Sequence, residues 1–271
     1  MMTLLALLMV VAYAGSALSF LLFLVMRSRA SRAFGMFSCG VGFVSHTVFF
    51  IARTVITGVP PFANLYESLL LFAWAIVLIF VSVLYRRGLA AAGALVMPLA
   101  LLLTGAATLL DDSARPLMPA LQSPWLYAHV LTCFLSYACF ACAFCLGIMY
   151  LAQERLLKAK QLGGVFGRLP PLDTMDRINY QSVLAGFLLL TVGIVTGSLW
   201  AERAWGTWWS WDPKETWSLI TWLIYAAYLH TRYLSGWRGR KTAFLSIAGF
   251  VCVLFTFLGV SFLLPGLHAY L

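Results

Sequence analysis

The sequence predicts an all-α integral membrane protein of eight transmembrane helices, with both termini on the external side. Three observations predict it. Hydrophobic residues make up 62% of the chain and charged residues only 10%, which leaves too little polar surface to clothe a soluble domain. Several apolar runs reach the roughly 20 residues an α-helix needs to cross a bilayer. Fourteen of the 18 lysines and arginines fall in four short stretches: Arg27 to Arg32, Arg86–Arg87, Arg155 to Arg177 and Arg232 to Lys241. Slightly acidic segments alternate with them, and basic loops mark the cytoplasmic side of a membrane. The formal net charge of +9 therefore reports topology, and no nucleic-acid partner is expected.

Helix 1, about residues 2–26, runs from outside to inside. It lacks a basic n-region and a small-residue cleavage site, and a basic stop-transfer stretch follows it, so it reads as retained rather than as a signal peptide. Helix 2 (about 33–57) returns outward to Gly58 and the external segment VPPFANLYES. Helix 3 (about 67–85) ends inside at Arg86–Arg87, and helix 4 (about 89–109) goes out to Asp111–Asp112. Helix 5 (about 127–152) comes in to the longest cytoplasmic stretch, about 153–178, and helix 6 (about 180–199) leads out again. Helix 7 (about 216–235) returns to the basic turn GWRGRK, and helix 8 (about 242–264) leaves the C-terminus outside. The chain contains no internal repeat, low-complexity tract or linker, so residues 1–271 read as a single polytopic membrane domain embedded in lipid. The six cysteines all lie in apolar runs and read as small buried hydrophobes.

Between helices 6 and 7 lies the external segment 200–217, WAERAWGTWWSWDPKETW, which holds six of the ten tryptophans. Gly206 and Pro213 interrupt the rings Trp205, Trp208, Trp209 and Trp211, and Asp212 follows, so they do not form one face of a helix. They predict a platform of flat polarisable rings where lipid meets water. His129, near the external end of helix 5, and His268, after helix 8 in LPGLHAYL, lie on the same side. Each is either an ordinary interfacial histidine or one of two axial ligands to a single iron. Paired imidazoles beside aromatic faces suit haem. No C-x-x-C-H occurs, so the chain does not attach haem covalently to itself.

His230 lies about 15 residues into helix 7, roughly 22 Å from its external end. An ionisable residue at that depth is a functional candidate, with a hydrogen bond between helices as the alternative. Arg232 is expected to snorkel to the cytoplasmic headgroups. His46, mid-way along helix 2, reads as a packing histidine, and Arg53, seven residues on, as an arginine reaching outward rather than a propionate partner. Lys214 and Arg203 are open to pairing with a propionate or simply to water.

At WGTWWSWDPKETW the chain resembles the WWD-motif haem-handling proteins of the cytochrome c assembly family, in the CcsA (ResC) form of the system II maturation pathway. FANLYESLLLFAW at 62–74, LHTR at 229–232 and the terminal GLH at 266–268 share the resemblance, which covers nearly the whole chain. It implies that His129 and His268 ligate a non-covalent haem b presented outside, below a haem-handling surface of Trp205, Gly206, Trp208, Trp209, Trp211, Asp212 and Pro213. It implies that His230 helps hold haem within the membrane before export. The activity implied is that of a haem lyase, or holocytochrome c synthase, which joins haem stereospecifically by thioether bonds to the C-x-x-C-H thiols of apocytochrome c. The implied partners are a CcsB (ResB)-type membrane subunit, apocytochrome c and a thiol-reducing thioredoxin-like protein, and the implied place is the bacterial cytoplasmic membrane in preference to the thylakoid membrane. The alternative is a haem-delivery protein of the CcmC type without synthase activity. A scaffold of the HemX type would lack the Trp segment.

Overall fold

The computed structural model describes residues 1–26, 28–113, 122–161, 163–164 and 166–264. Among them there are helices and connections and no strand. The helices are α1 (Met2–Met26), α2 (Arg29–Thr57), α3 (Leu65–Ile79), α4 (Gly93–Ala107), α5 (Pro124–Lys158), α6 (Leu172–Trp205), α7 (Pro213–Leu234), α8 (Arg240–Leu254) and α9 (Val260–Leu263). A π turn at Phe80–Tyr85 prolongs α3, a 3₁₀ turn at Ala90–Ala92 opens α4, and a π turn at Phe255–Gly259 joins α8 to α9. Seven helical runs are long and apolar enough to cross a membrane, taking Leu65–Tyr85 and Arg240–Leu263 as continuous. The chain is a multi-pass membrane protein.

The predicted eighth span, α7, is long enough at 22 residues but is not among those seven. Its middle is rich in Thr, Trp, Tyr and His, which depress its hydropathy. The packing accounts for part of this: several polar groups of α7 are matched inside the protein. Thr221 meets Thr256 at 3.1 Å, Tyr228 donates to Asn179 at 2.8 Å, and Trp222 Nε1 donates to Thr191 at 2.9 Å. Arg232 forks onto Asp176 at 2.8 and 2.7 Å, so it is paired rather than snorkelling.

The chain packs as two compact units. One holds the described residues of Met1–Pro116 and Leu151–Thr174, the other those of Leu117–Tyr150 and Met175–Leu271. In the first, α1 and α2 are zipped by serines: Ser16 donates to Gly35 O at 2.8 Å, Ser38 to Ala12 O at 3.0 Å and Ser45 to Leu5 O at 2.9 Å. Small residues let two helices approach within lipid, and hydroxyls can then bond across the seam. α2 ends where Gly58 turns left-handed at φ 68° and returns its N–H to Thr54 O, a stop that glycine adopts without steric cost. α3 starts at Asn64, whose side chain accepts from Glu67 N–H at 2.8 Å.

The second unit is built on α5 as far as Tyr150, α6 from Met175, and α7 to α9, and the last residues of α5 and the first of α6 belong to the first unit. Both α5 and α6 outrun their predicted bounds, so much of the expected 153–178 connection is helical. Beyond the apolar run, α5 continues with a Glu154–Lys158 pair at 2.8 Å, the i,i+4 contact that supports a helix in water. Hydropathy marks the membrane, whereas the helix goes on past it.

Candidate haem-handling site

α5 and α6 approach closely because α6 carries Gly193 and Gly197 one turn apart. A Cβ at Gly193 would lie 2.6 Å from Cys133 Sγ, and one at Gly197 would lie 2.6 Å from His129 Nδ1. In the seam thus opened, His129 Nδ1 lies 2.7 Å from the Gly193 carbonyl. A carbonyl can only accept, so Nδ1 carries the proton, and in the neutral imidazole Nε2 keeps its lone pair. This is the tautomer of a metal-ligating imidazole braced by backbone. Thr196 donates to the same carbonyl at 3.1 Å. Trp200 lies nearly parallel to the imidazole, with ring centroids 6.3 Å apart and planes 15° apart. Trp205 meets Trp200 edge-on at 6.0 Å. His129 is the sixth residue of α5, deeper than predicted, because the helix opens earlier, at Pro124, a residue suited to a first helical turn.

α6 ends at Trp205, and Gly206 breaks it with φ 76°. Nothing lies within 4 Å of where a Gly206 Cβ would stand, so within the chain glycine is required there for its backbone angle, not for close approach. Trp208 and Trp211 are 56% and 70% exposed, and Trp209 meets Trp211 edge-on at 5.8 Å. Trp211 also has φ 59°, a left-handed backbone that costs a bulky residue about 1–3 kcal/mol and is found where a side chain must be presented.

Asp212 and Pro213 have a local role. Asp212 caps α7, accepting from Lys214 N–H at 2.9 Å, while Glu215 reaches back to the N–H groups of Asp212 at 3.2 Å and Ser210 at 2.8 Å. With Pro213 opening the helix, WDPKE forms a capping box with proline at its first position, satisfying donors that a helix start leaves bare. The motif thus divides into a structural half, Asp212 to Glu215, and a presented half, Trp208 to Trp211.

His230 lies 17 residues after Pro213 on α7, about 26 Å along the axis, and is exposed on the surface of its unit. His268, the other expected external ligand, lies outside the described residues. Lys214 Nζ donates to Ser261 at 3.1 Å, and Arg203 lies over the Trp125 ring at 5.7 Å.

In the other unit, His46 is fully buried, with Nδ1 3.2 Å from Tyr13 OH and its ring against Phe50 at 4.7 Å, as a packing histidine would be. Arg53 does not reach outward. It is buried, with Nε on Glu67 at 2.6 Å and an Nη on Asp112 O at 2.6 Å, since Glu67 at the start of α3 supplies a buried countercharge.

Sequence reasoning missed Gly193, Gly197 and Asp176. Gly-x-x-x-Gly in an apolar run was the available signal for the first two. An acid beside Arg177 within the basic stretch was the signal for Asp176, which also accepts from Gly239 N–H at 2.8 Å and Thr242 at 3.2 Å.

Comparison with known proteins bears on the same residues. Residues 62–268 match the family model described as cytochrome c assembly protein. A protein of Guillardia theta named cytochrome c biogenesis protein CcsA is 40% identical over 246 residues, covering 84% of this chain and 82% of the relative. Its namesake from Trieres chinensis is 38% identical over 256 residues, 82% of each. One from Prochlorococcus marinus is 40% identical over 243 residues, 81% of this chain and 77% of the relative. Among solved structures, the cytochrome c haem lyase CcmF superposes with a TM-score of 0.66 at 21% identity, over 95% of this chain and 47% of that one. The chain thus spans just under half of that structure, and at this identity the likeness concerns the fold.

Proposed function

The chain belongs to the cytochrome c assembly protein family, and on that premise we propose that it handles haem in cytochrome c maturation, exporting it and presenting it for attachment to apocytochrome c. Haem here is the substrate. The observation that carries the reading is His129, whose Nδ1–H is committed to the Gly193 carbonyl at 2.7 Å, leaving Nε2 to bind iron beside Trp200.

In this reading His268 supplies the second axial imidazole and the Trp205–Trp211 surface borders the porphyrin on the external side. His230, on the outward face of α7, offers a ligand toward a neighbouring CcsB-type subunit, with which it would receive haem from the cytoplasmic side. The chain supplies no nucleophile, because the substrate brings its own thiols. Each C-x-x-C-H thiol adds across a haem vinyl group; its sulfur forms the C–S bond and its proton ends on the other vinyl carbon, so nothing is oxidised or reduced. The chain's contribution is orientation, worth far more than a collision in water, and exclusion of solvent by the Trp surface. A thioredoxin-like reductant would keep the thiols free. Delivery of haem without synthase activity is the second reading, favoured if haem binding survives loss of the apocytochrome interaction.

The test is the optical spectrum of the protein purified with its partner subunit, wild type against His129→Ala. Sharp α and β bands of six-coordinate low-spin haem in the wild type, lost or shifted in the variant and restored by added imidazole, are expected. Normal cytochrome maturation by His129→Ala without imidazole would refute the assignment.

A further inference from the structure

Cys133 lies one helical turn along α5 from His129, and residues four apart on a helix are neighbours on its surface. Its Sγ is 3.7 Å from His129 Nδ1. The sulfur is lodged against α6 where Gly193 has no side chain, since a Cβ there would stand 2.6 Å from it. Cys139, Cys142 and Cys145, further along α5, are buried, whereas Cys133 is half-buried and touches the imidazole. The direction of that contact follows from the neighbouring carbonyl. Nδ1 donates to Gly193 O at 2.7 Å, so it holds the proton, and the sulfur beside it acts as an acceptor. Gly193 O is not reserved for His129, because Thr196 donates to it as well, at 3.1 Å. The Nδ1–H group thus stands between two acceptors on different helices, an oxygen of α6 and a polarisable sulfur of α5.

We propose that Cys133 is a positioning residue for the haem-ligating imidazole: as second acceptor of Nδ1–H, its sulfur steadies the ring and makes Nε2 a stronger electron donor to iron. This rests on the reading of His129 as an iron ligand. A hydrogen bond accepted from the far nitrogen of a ligating imidazole raises its basicity, and such bonds are one of the levers that set the potential of a haem. A more basic Nε2 favours the ferric ion over the ferrous, because the ferric ion carries the higher charge. Cys133 therefore tilts the site toward ferric haem beyond what the Gly193 carbonyl does by itself. A side chain that merely filled space between α5 and α6 would support both oxidation states alike, and this difference separates the two roles.

The full chain, purified with its partner subunit, is titrated with haem under oxidising and reducing conditions, followed by the Soret band, and its midpoint potential is measured in a spectroelectrochemical cell. Cys133→Ala is expected to weaken ferric haem about threefold more than ferrous haem, the size of one weak hydrogen bond. That ratio corresponds to a rise of about 28 mV in midpoint potential, at 59 mV per tenfold for one electron. Both affinities are taken from one preparation, so a lower folded fraction cancels from their ratio. Cys133→Ser, which keeps an acceptor near Nδ1, should stay closer to the wild type. Cys139→Ala, which removes a cysteine elsewhere on α5, should leave the ratio unchanged. Equal loss of ferric and ferrous affinity in Cys133→Ala, or an unchanged potential, would overturn the proposal while leaving iron ligation by His129 intact. Failure of the wild type to bind haem, or a wild-type spectrum from His129→Ala, would instead sink the reading on which the proposal rests.

Discussion

Replacing Gly197 with alanine tests the site at its tightest point. The new Cβ would stand 2.6 Å from His129 Nδ1 and 2.8 Å from its Cε1. An ordinary contact needs about 3.5 Å, so the imidazole must swing by about 1 Å or the helices must part. Either movement stretches the 2.7 Å bond to the Gly193 carbonyl to roughly 3.6 Å, beyond hydrogen-bond range. Overpacking of this kind costs about 1–3 kcal/mol, whereas alanine for glycine inside a helix returns up to about 1 kcal/mol. The net effect on folding is small. Ligation is less forgiving, because an iron ligand must be held within about 0.5 Å and losing its outer support lowers affinity about 10–100-fold. Gly197→Ala should therefore leave thermal stability within about 2 kcal/mol of wild type while weakening haem binding at least tenfold in a Soret titration, with added imidazole restoring the low-spin spectrum. Gly40→Ala, where nothing lies within 4 Å of the new Cβ, is the control and should leave haem binding unchanged while raising stability by at most about 1 kcal/mol. A Gly197→Ala protein that bound haem with wild-type affinity and spectrum would show that the His129 orientation seen here is not the functional one.

Asp212→Asn should be nearly neutral for stability, because asparagine caps a helix as well as aspartate does, whereas Asp212→Ala should cost about 1 kcal/mol in chemical or thermal unfolding. If Asp212→Asn abolished cytochrome maturation at unchanged stability, the charge, not the cap, would be the function. Asp176→Asn leaves Arg232 without its countercharge at a site where the two side chains are only 10% and 13% exposed, and should lower stability by about 2–3 kcal/mol, somewhat less than for a fully enclosed pair. The double change Asp176→Asn with Arg232→Met, which keeps an acceptor for Gly239 N–H and Thr242 and removes the unpaired charge, should cost less than Asp176→Asn alone. Equal or greater loss in the double variant would mean that the pair contributes more than the relief of a buried charge.

What was legible in the sequence was what depends on long averages. Seven of the eight predicted spans coincide with helical runs apolar enough to cross a membrane, because a 20-residue apolar stretch leaves few other outcomes. The Trp-rich segment was visible as composition, and WDPKE carried its capping box in plain spacing. Long-range pairing was not legible. Arg53 read as an arginine reaching for water because the sequence gives no hint that Glu67, across a turn, is folded back onto it at 2.6 Å. Arg232 read as snorkelling for the same reason, with Asp176 lying 56 residues away. His129 was found, but its tautomer depends on a carbonyl 64 residues distant, which only the approach of α5 and α6 reveals.

The helix that hydropathy undervalues is the one that connects these observations. α7 begins at the Trp segment, carries Lys214 in its first turn and His230 near its last. Its polar residues make poor transmembrane sequence only if they face lipid. Thr221, Tyr228 and Arg232 instead point inward to Thr256, Asn179 and Asp176, so each is a fastener rather than a solvation cost. Residues two apart on an α-helix lie about 200° apart around it. Pinning Arg232 inward on Asp176 therefore turns His230 outward, and His230 is indeed exposed. The same fasteners that hold α7 in place thus leave His230 on its exposed face, and the low hydropathy of this helix follows from that arrangement.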